Sequence, residues 1–294
     1  MGKNSWKLEN IPEILHLYWG GKKDFSFLRY MTILSFHKLN PNWEIRIHIP
    51  ADTNDTLNPK WSTGEHGLSF SGENYYGDML EYCDKYDNIN IFEFELDLND
   101  IELNLTTVQK SDIYRWYLLA DIGGVWSDFD IIYTKPMNEI YLNTYQNRNI
   151  KSVICDCFQT NTERYLVQSH AIGFLMSSGN NQLFWDIYND SMGTVNSNYQ
   201  SAGADLLNVS YKYLLIRDVY DGVVNLDTDT VYPYDWRLIH QLFEPFDGFI
   251  PKNTIGIHWY AGAKEVCKIN NYLNKDNYLG HPSYITEQIK RILN

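Results

Sequence analysis

The order of elements near the N-terminus constrains this chain more than any later segment. Ile14-Leu15-His16-Leu17-Tyr18-Trp19 is a short apolar run halted by Gly20-Gly21, the pattern of a buried strand closed by a turn. Apolar residues at Phe27, Leu28, Met31, Leu34 and Leu39 then recur at near-helical spacing, which predicts a helix from about Phe25 to Lys38 before the stop at Asn40-Pro41. Trp43 to Ile49 alternates as a strand does. Strand, helix and strand in immediate succession make a βαβ unit, whose crossover places both strands parallel in one sheet.

The same grammar continues. Ile89 to Phe94 alternates, Thr107 to Asp121 carries a helical face of Ile113, Trp116, Tyr117 and Ala120 ended by Gly123-Gly124, and Val125-Trp126-Ser127 is a strand. Ala171 to Met176 and Val223 to Leu226 read as further strands. Between Asp52 and Tyr86 the pattern weakens into a Gly-, Ser-, Asn- and Tyr-rich stretch, read as a mobile insertion. With 294 residues, 44% hydrophobic and 21% charged, and no linker or repeat, the expectation is one α/β domain with insertions.

An excess of 37 acidic over 24 basic residues, net −13, argues against nucleic acid as a partner, since phosphate backbones recruit basic surfaces. No stretch approaches the roughly 20 apolar residues of a transmembrane helix, and Met1 to Trp6 lacks an apolar signal core, so a soluble cytoplasmic protein is expected, in the host-cell cytoplasm if viral. Cys83, Cys155, Cys157 and Cys267 are too few for a disulfide scaffold, and Cys155-Asp156-Cys157 lacks zinc-knuckle spacing; free thiols are expected. The 15% aromatic content suits cores and sugar stacking alike and only slightly favours carbohydrate chemistry.

Chemistry enters at Asp128-Phe129-Asp130. Two carboxylates on one side of an extended strand end would aim at one point and hold a divalent cation that also binds phosphate oxygens. A second triplet, Asp227-Thr228-Asp229, is read as a solvated turn. The first stands out through its context of Lys110-Ser111-Asp112-Ile113-Tyr114-Arg115, a helix, Gly123-Gly124 and an apolar strand. Asp112 and Arg115 share a helix face, either as a surface ion pair of little worth or as an acid for sugar hydroxyls beside a guanidinium for phosphate or a sugar oxygen.

At these residues the sequence resembles the DXD glycosyltransferases of GT-A fold that include the outer-chain mannosyltransferases and the glucosylating clostridial toxins. Four blocks carry the resemblance: His16-Leu17-Tyr18-Trp19-Gly20-Gly21; the span from Ser111 to Asp130; Ser201-Ala202-Gly203-Ala204-Asp205-Leu206-Leu207, which lacks the family's proline; and His258-Trp259-Tyr260-Ala261-Gly262-Ala263-Lys264, in which Ala263 and Lys264 replace Ser and Trp. The resemblance implies a mixed Rossmann-like sheet flanked by helices, with a nucleotide-sugar half over about residues 1–135 and an acceptor and C-terminal half over about 136–294. It also implies donor contacts from Leu17 and Trp19, with Trp19 stacked on the base or else packed in the core. Asp112 and Arg115 would orient the donor sugar and its phosphate, and Asp205 would position hydroxyls. Asp128, Asp130 and His258 would hold Mn²⁺ or Mg²⁺, with His258 otherwise a buried structural histidine, and Lys264 would face the diphosphate. His16 and His170 are left structural.

The implied reaction moves a hexose from a nucleotide-sugar, a UDP-sugar ahead of a GDP-sugar, to a glycan or other hydroxyl acceptor with retention, as in polysaccharide biosynthesis. The segments 52–86 and 189–199 are expected to build the acceptor site. Two alternatives are a haloacid-dehalogenase-type phosphatase, which also sets Asp-x-Asp over Mg²⁺, and a sugar-binding domain without catalysis. The phosphatase pair usually lies on the first core strand and is followed after one residue by Thr or Val, where this chain has long α/β sequence before the pair and Ile132 after it.

Overall fold

Apolar alternation decides which way each strand faces, and two separate cores result. The computed structural model describes residues 10–51, 70–95, 105–140, 149–160 and 166–294. Strand β1 (Ile14–Tyr18) turns Leu15 and Leu17 into one apolar cluster and Tyr18 into the other, while β4 (Gly124–Ser127) divides Val125 and Trp126 in the same way. Between β1 and β2 (Glu44–Pro50) runs α1 (Phe27–Leu39), capped by Ser26, whose hydroxyl accepts the Arg29 N–H. Leu28, Met31, Ile33 and Phe36 of α1 fill the first core. The second core packs Trp116 and Leu119 of α3 (Thr107–Asp121) against Phe184 and Ile187 of α4 (Gln182–Thr194) and Leu175 of β7 (Leu166–Ser177).

The main sheet has the order β3-β2-β1-β4-β7-β6-β8, completed by β3 (Ile89–Phe94), β6 (Ser152–Thr160) and β8 (Val223–Leu226). Among these described strands β7 alone runs against its neighbours, so the sheet is mixed but mostly parallel. The helix α6 (Lys212–Ile216) leads into β8, a two-stranded ribbon pairs β5 (Ile131–Tyr133) with β9 (Gly256–His258), and α7 (Lys264–Tyr272) and α8 (Tyr284–Leu293) follow. From β1 the chain fills β2 and β3 on one side, then places β4 on the other. That reversal opens a crevice at the carboxyl ends of β1 and β4, where open α/β sheets bind ligands.

Helix α3 is fixed at both ends. Thr106 and Gln109 form a reciprocal capping box, and the chain leaves through Gly123 at φ +77°, where a side chain would overlap the backbone of Gly179. The weak stretch from Asp52 to Tyr86 is only partly an insertion: residues 52–69 lie outside the described residues, and α2 (Tyr76–Cys83) packs Met79 and Cys83 inward on the way to β3. Two buried positions in eight leave little periodicity to read. Strand β6 and the far ends of β7 also went unread, since Ser152 to Thr160 mixes Asp156 and two cysteines into its alternation. All four thiols are free, and no helix among the described residues is long and apolar enough to cross a membrane.

Under the crevice His16 and His48 form a buried relay. The Gly123 carbonyl can only accept, so His16 Nε2 carries a proton and donates at 2.8 Å; His16 Nδ1 then accepts from His48 Nε2 at 3.0 Å, and Tyr114 O–H donates to His48 Nδ1 at 3.1 Å. Every position of this chain is filled only while both rings are neutral. Burial, outweighing the bond to Gly123, takes His16 down to about 4, and burial with the neighbouring His16 takes His48 well below its ordinary range. Unfolded histidines bind protons near pH 6.5 while these native rings do not, so their stabilising share is complete above about 6.5 and is lost as pH falls towards 4. Urea midpoints at pH 7.5 and 5 should therefore fall with acidification, and less so in His48→Phe; the difference isolates the rings from carboxylates titrating over the same range. Equal slopes in the two proteins would contradict the relay.

Candidate active site

Arg115 sits on the inward face of α3, one helix before the turn that carries Asp128 and Asp130. Its guanidinium is 4% exposed and fully committed on its outer nitrogens: Nη1 donates to the Ile172 carbonyl of β7 at 2.8 Å, while Nη2 lies 3.3 Å from Asp128 Oδ1 and 3.0 Å from Asp112 Oδ1. Its plane rests 4.7 Å from the Trp126 ring centroid, and Trp126 Nε1 donates to the same Asp128 oxygen at 3.0 Å. The Asp112–Arg115 pair is therefore buried, and the surface-pair reading fails. The expected reach of Arg115 to a phosphate is likewise replaced by a grip on two carboxylates.

Asp112 is 1% exposed, and neither of its oxygens has a hydrogen-bond partner among the described residues, because Arg115 Nη2 is close but poorly aligned. Burial pushes this carboxyl up to about 7 against the pull of Arg115, with the charges of Asp128 and Asp205 pushing the same way. Such a group is completed by O–H donors. Gly203 presses directly on it, where any side chain would overlap the carboxylate. Asp205, at the start of the short helix α5 (Ala204–Leu206), is close enough for its charge to be felt and accepts from Asn198 at 2.5 Å.

Asp128 and Asp130 do not lie on an extended strand, as expected, but in the tight turn between β4 and β5. The turn still makes their carboxylates converge. Asp130 Oδ1 is 3.0 Å from His258 Nε2 at the end of β9, and its Oδ2 accepts the Ala261 N–H at 2.9 Å. Burial works against the Asp130 charge, but His258, the Ala261 N–H and Arg29 outweigh it and hold the carboxyl below its ordinary range. One ligand atom from each of Asp128, Asp130 and His258 falls within 4.8 Å of the others, two hard oxygens and an imidazole, a donor set suited to Mn²⁺ or Mg²⁺. Gly173 makes room: a Cβ there would stand 2.7 Å from Asp128 Oδ2 and 2.9 Å from the buried Tyr232 hydroxyl. An isolated glycine inside an apolar strand signals such an approach and could have been read from the sequence.

Trp19 and Leu17 lie elsewhere than a base-contact reading requires. Leu17 is wholly in the core, and Trp19 is 2% exposed, with Phe25 and Phe129 against it edge-on and the Arg29 guanidinium 4.8 Å from its centroid. Its face is covered by a cation, not open to a base. Lys264 is exposed at the first position of α7. Asp227 and Asp229 are exposed on a 3-10 turn, as expected of a solvated triplet. His170 pairs with Asp156 at 3.0 Å inside the β6–β7 hairpin. The segment 189–199 closes α4 and continues into turns whose Asn196 and Asn198 carbonyls hold Gln109. Arg29, Gly173 and Tyr232 were not singled out by sequence, Trp126 was read only as a strand residue, and Gly203 entered only within the third block.

A family model described as the glycosyltransferase sugar-binding region containing the DXD motif matches residues 52–147, the span that holds Asp112, Arg115, Asp128 and Asp130. The match spans residues 52–147 of 294, and over that span the chain is similar to the DXD glycosyltransferases. No curated protein matches it. The WbbM bifunctional glycosyltransferase in its apo structure aligns at 11% identity and TM-score 0.52 over 98% of this chain and 51% of that one, which shows the GT-A fold. The PaToxG glycosyltransferase aligns at 17% identity and TM-score 0.47 over 71% of this chain and 72% of that one. GlyE of Streptococcus pneumoniae TIGR4 aligns at 11% and 0.47 over 97% and 61%. The chain thus spans about half the length of WbbM.

The contact between Gly203 and Asp112 yields a direct test. Gly203→Ala should lower the melting temperature by a few degrees through that overlap, and, assayed well below it where the protein is folded, should lower turnover by about ten- to a hundredfold, because an ångström of misplacement at the reacting centre costs that much. Turnover equal to the wild type would show that Asp112 is not used.

Proposed function

We propose that this glycosyltransferase moves a hexose from a nucleotide-sugar to a hydroxyl of a glycan or other acceptor, with Mn²⁺ or Mg²⁺ held by Asp128, Asp130 and His258. The observation that carries the reading is the convergence of those three ligand atoms in the crevice at the switch between β1 and β4, beside the buried, unpaired carboxylate of Asp112. Preference for a UDP-sugar over a GDP-sugar, retention of configuration, and a role in polysaccharide biosynthesis come with the family resemblance. The division into a donor half over about 1–135 and an acceptor half over about 136–294 is part of the same reading. Four free thiols, three of them buried, fit a reducing cytoplasmic setting.

In the proposed mechanism the donor departs as a nucleoside diphosphate, so negative charge gathers on its β-phosphate while the sugar ring becomes oxocarbenium-like. A bound divalent ion supplies Lewis-acid stabilisation of that charge. Asp112 accepts from donor-sugar hydroxyls, which complete its two unpaired oxygens and fix the ring. Arg115 acts by holding Asp112 and Asp128 in register rather than by touching phosphate. Asp205 is placed to receive a hydroxyl beside Asp112. The Ala261 N–H and His258 keep Asp130 ionised and oriented. A phosphatase is disfavoured because the Asp-x-Asp pair follows the fourth strand, after α3, and is joined by a histidine from β9.

Thermal stability against UDP, GDP, CMP and dTDP, each with Mn²⁺ and again with EDTA, tests the reading without an acceptor, since a ligand of the native state raises the melting point. A metal-dependent rise with one diphosphate is expected and names the base; no rise with any would sink the proposal. Asp130→Asn should abolish both that rise and Mn²⁺-dependent turnover while the protein stays folded. Arg115→Lys should lower turnover at least about tenfold, because an ammonium cannot span Ile172, Asp128 and Asp112 together. Near-normal rates would return Arg115 to a role in folding alone.

A further inference from the structure

Arg29 stands one turn into α1, where the Ser26 cap fixes the start of the helix. Its guanidinium is clasped between two buried indoles, 4.8 Å from the centroid of Trp19 and 5.9 Å from that of Trp259. Neither ring is free to move aside: Trp19 is wedged by Phe25 and Phe129 and donates its Nε1 to the Lys23 carbonyl, and Trp259 is fully buried. A guanidinium held this way is oriented before any ligand arrives.

What it lacks is a counter-ion. Among the described residues no carboxylate pairs with Arg29 and no acceptor bonds its guanidinium, whose nitrogens keep contact with solvent. Asp130, Cys267 and Asp24 are near enough to be felt, but both Asp130 oxygens are engaged, one by His258 and one by the Ala261 N–H. Burial accordingly lowers the pKa of Arg29 in spite of those charges. A cation packed between two indoles, with only solvent on its N–H groups, presents those donors to an anion that enters the crevice.

The charges of the crevice indicate which anion. A divalent ion at Asp128 and Asp130 does no more than balance those two carboxylates, and Arg115 is spent on Asp112. The charge of a diphosphate therefore needs further cations. Arg29 lies on the Asp130 side of the cluster, together with the first turn of α7, whose Ala263 cap offers no side chain to the backbone N–H groups and whose Cys267 feels the Arg29 charge.

We infer that Arg29 binds the donor's diphosphate, its guanidinium forking a phosphate oxygen, with Trp19 and Trp259 as the platform that aims it. This rests on the reading of the chain as a nucleotide-sugar transferase. It gives Trp19 a role its buried face permits: the ring supports a phosphate ligand instead of stacking on the base. Arg29 is then a binding residue for the leaving group, supplied from α1, which neither the DXD turn nor the C-terminal block contains.

Inorganic pyrophosphate is a probe that carries the phosphates without a base. Titrated by calorimetry in Mn²⁺, it should bind Arg29→Met at least about tenfold more weakly than the wild type, the worth of one charge-assisted hydrogen bond. Mn²⁺ alone, followed by electron paramagnetic resonance, should bind Arg29→Met at least as tightly as the wild type, since a cation near Asp130 is removed, and a nucleoside without phosphates should not distinguish them. Arg29→Lys, which keeps the charge but loses the fork, should fall between, and it decides the matter if Arg29→Met does not fold. Pyrophosphate affinity unchanged in these variants overturns the assignment while the transferase reading stands. A wild type that binds neither pyrophosphate nor any nucleoside diphosphate overturns the proposed function, and the role of Arg29 with it.

Discussion

The crevice depends on one guanidinium. Arg115 ties α3 to the turn after β4 through Asp128, to β7 through the Ile172 carbonyl, and to its own helix through Asp112, all from a position 4% exposed. Removing one partner of such a buried set costs about 3–5 kcal/mol, because it leaves an uncompensated charge in place. The capping box at Thr106 and the left-handed exit at Gly123 set the length and phase of α3, so that residues 112 and 115 face the sheet. Two glycines on other elements then make the space: Gly173 lets β7 pass beneath Asp128, and Gly203 lets the chain close over Asp112. The site is built by backbone approach as much as by its charged groups.

The centre of the parallel half was legible because β1 and β4 are buried on both faces and α1 and α3 each have a cap and a stop. Ile14 to Leu39 and Thr107 to Ser127 needed no tertiary information. The antiparallel half was less so. In β6 and β7 the buried Asp156–His170 pair and two thiols occupy positions where a sequence reading looks for aliphatic residues, and their burial is satisfied by partners across the hairpin that no local pattern reveals. Helix α2 was missed for the related reason that only Met79 and Cys83 turn inward.

At the site, residue identity was easier to read than residue role. Asp112, Arg115, Asp128, Asp130 and His258 do come together, but the convergence of the two aspartates arises from a turn, not from the two-residue repeat of a strand. The difference matters physically. A strand would fix both carboxylates by pleat geometry alone, whereas the turn leaves each to be positioned by its own partners, Arg115 and Trp126 for Asp128, and His258 and the Ala261 N–H for Asp130. Trp19 shows the opposite case: a residue noticed for its type whose surroundings, Arg29 on its face and Phe25 and Phe129 at its edges, could be known only from the fold.

Two strained residues and two unpaired polar groups border the crevice. Two residues flanking it, Asp24 after β1 and Tyr260 after β9, hold left-handed backbone at φ +61° and +51° without being glycine, a conformation that persists only when neighbours over-determine it. The buried Asp112 carboxylate and the Tyr232 hydroxyl lack hydrogen-bond partners among the described residues, where buried polar groups are as a rule paired. A fold stable through its two cores can carry these costs, and it carries them where hydroxyl donors and an anion would remove them. Ligand binding on this view completes the polar interior: sugar hydroxyls at Asp112 and phosphate at Arg29 supply what the folded chain leaves open, so that affinity comes from ending a pre-existing deficit rather than from rearranging the protein.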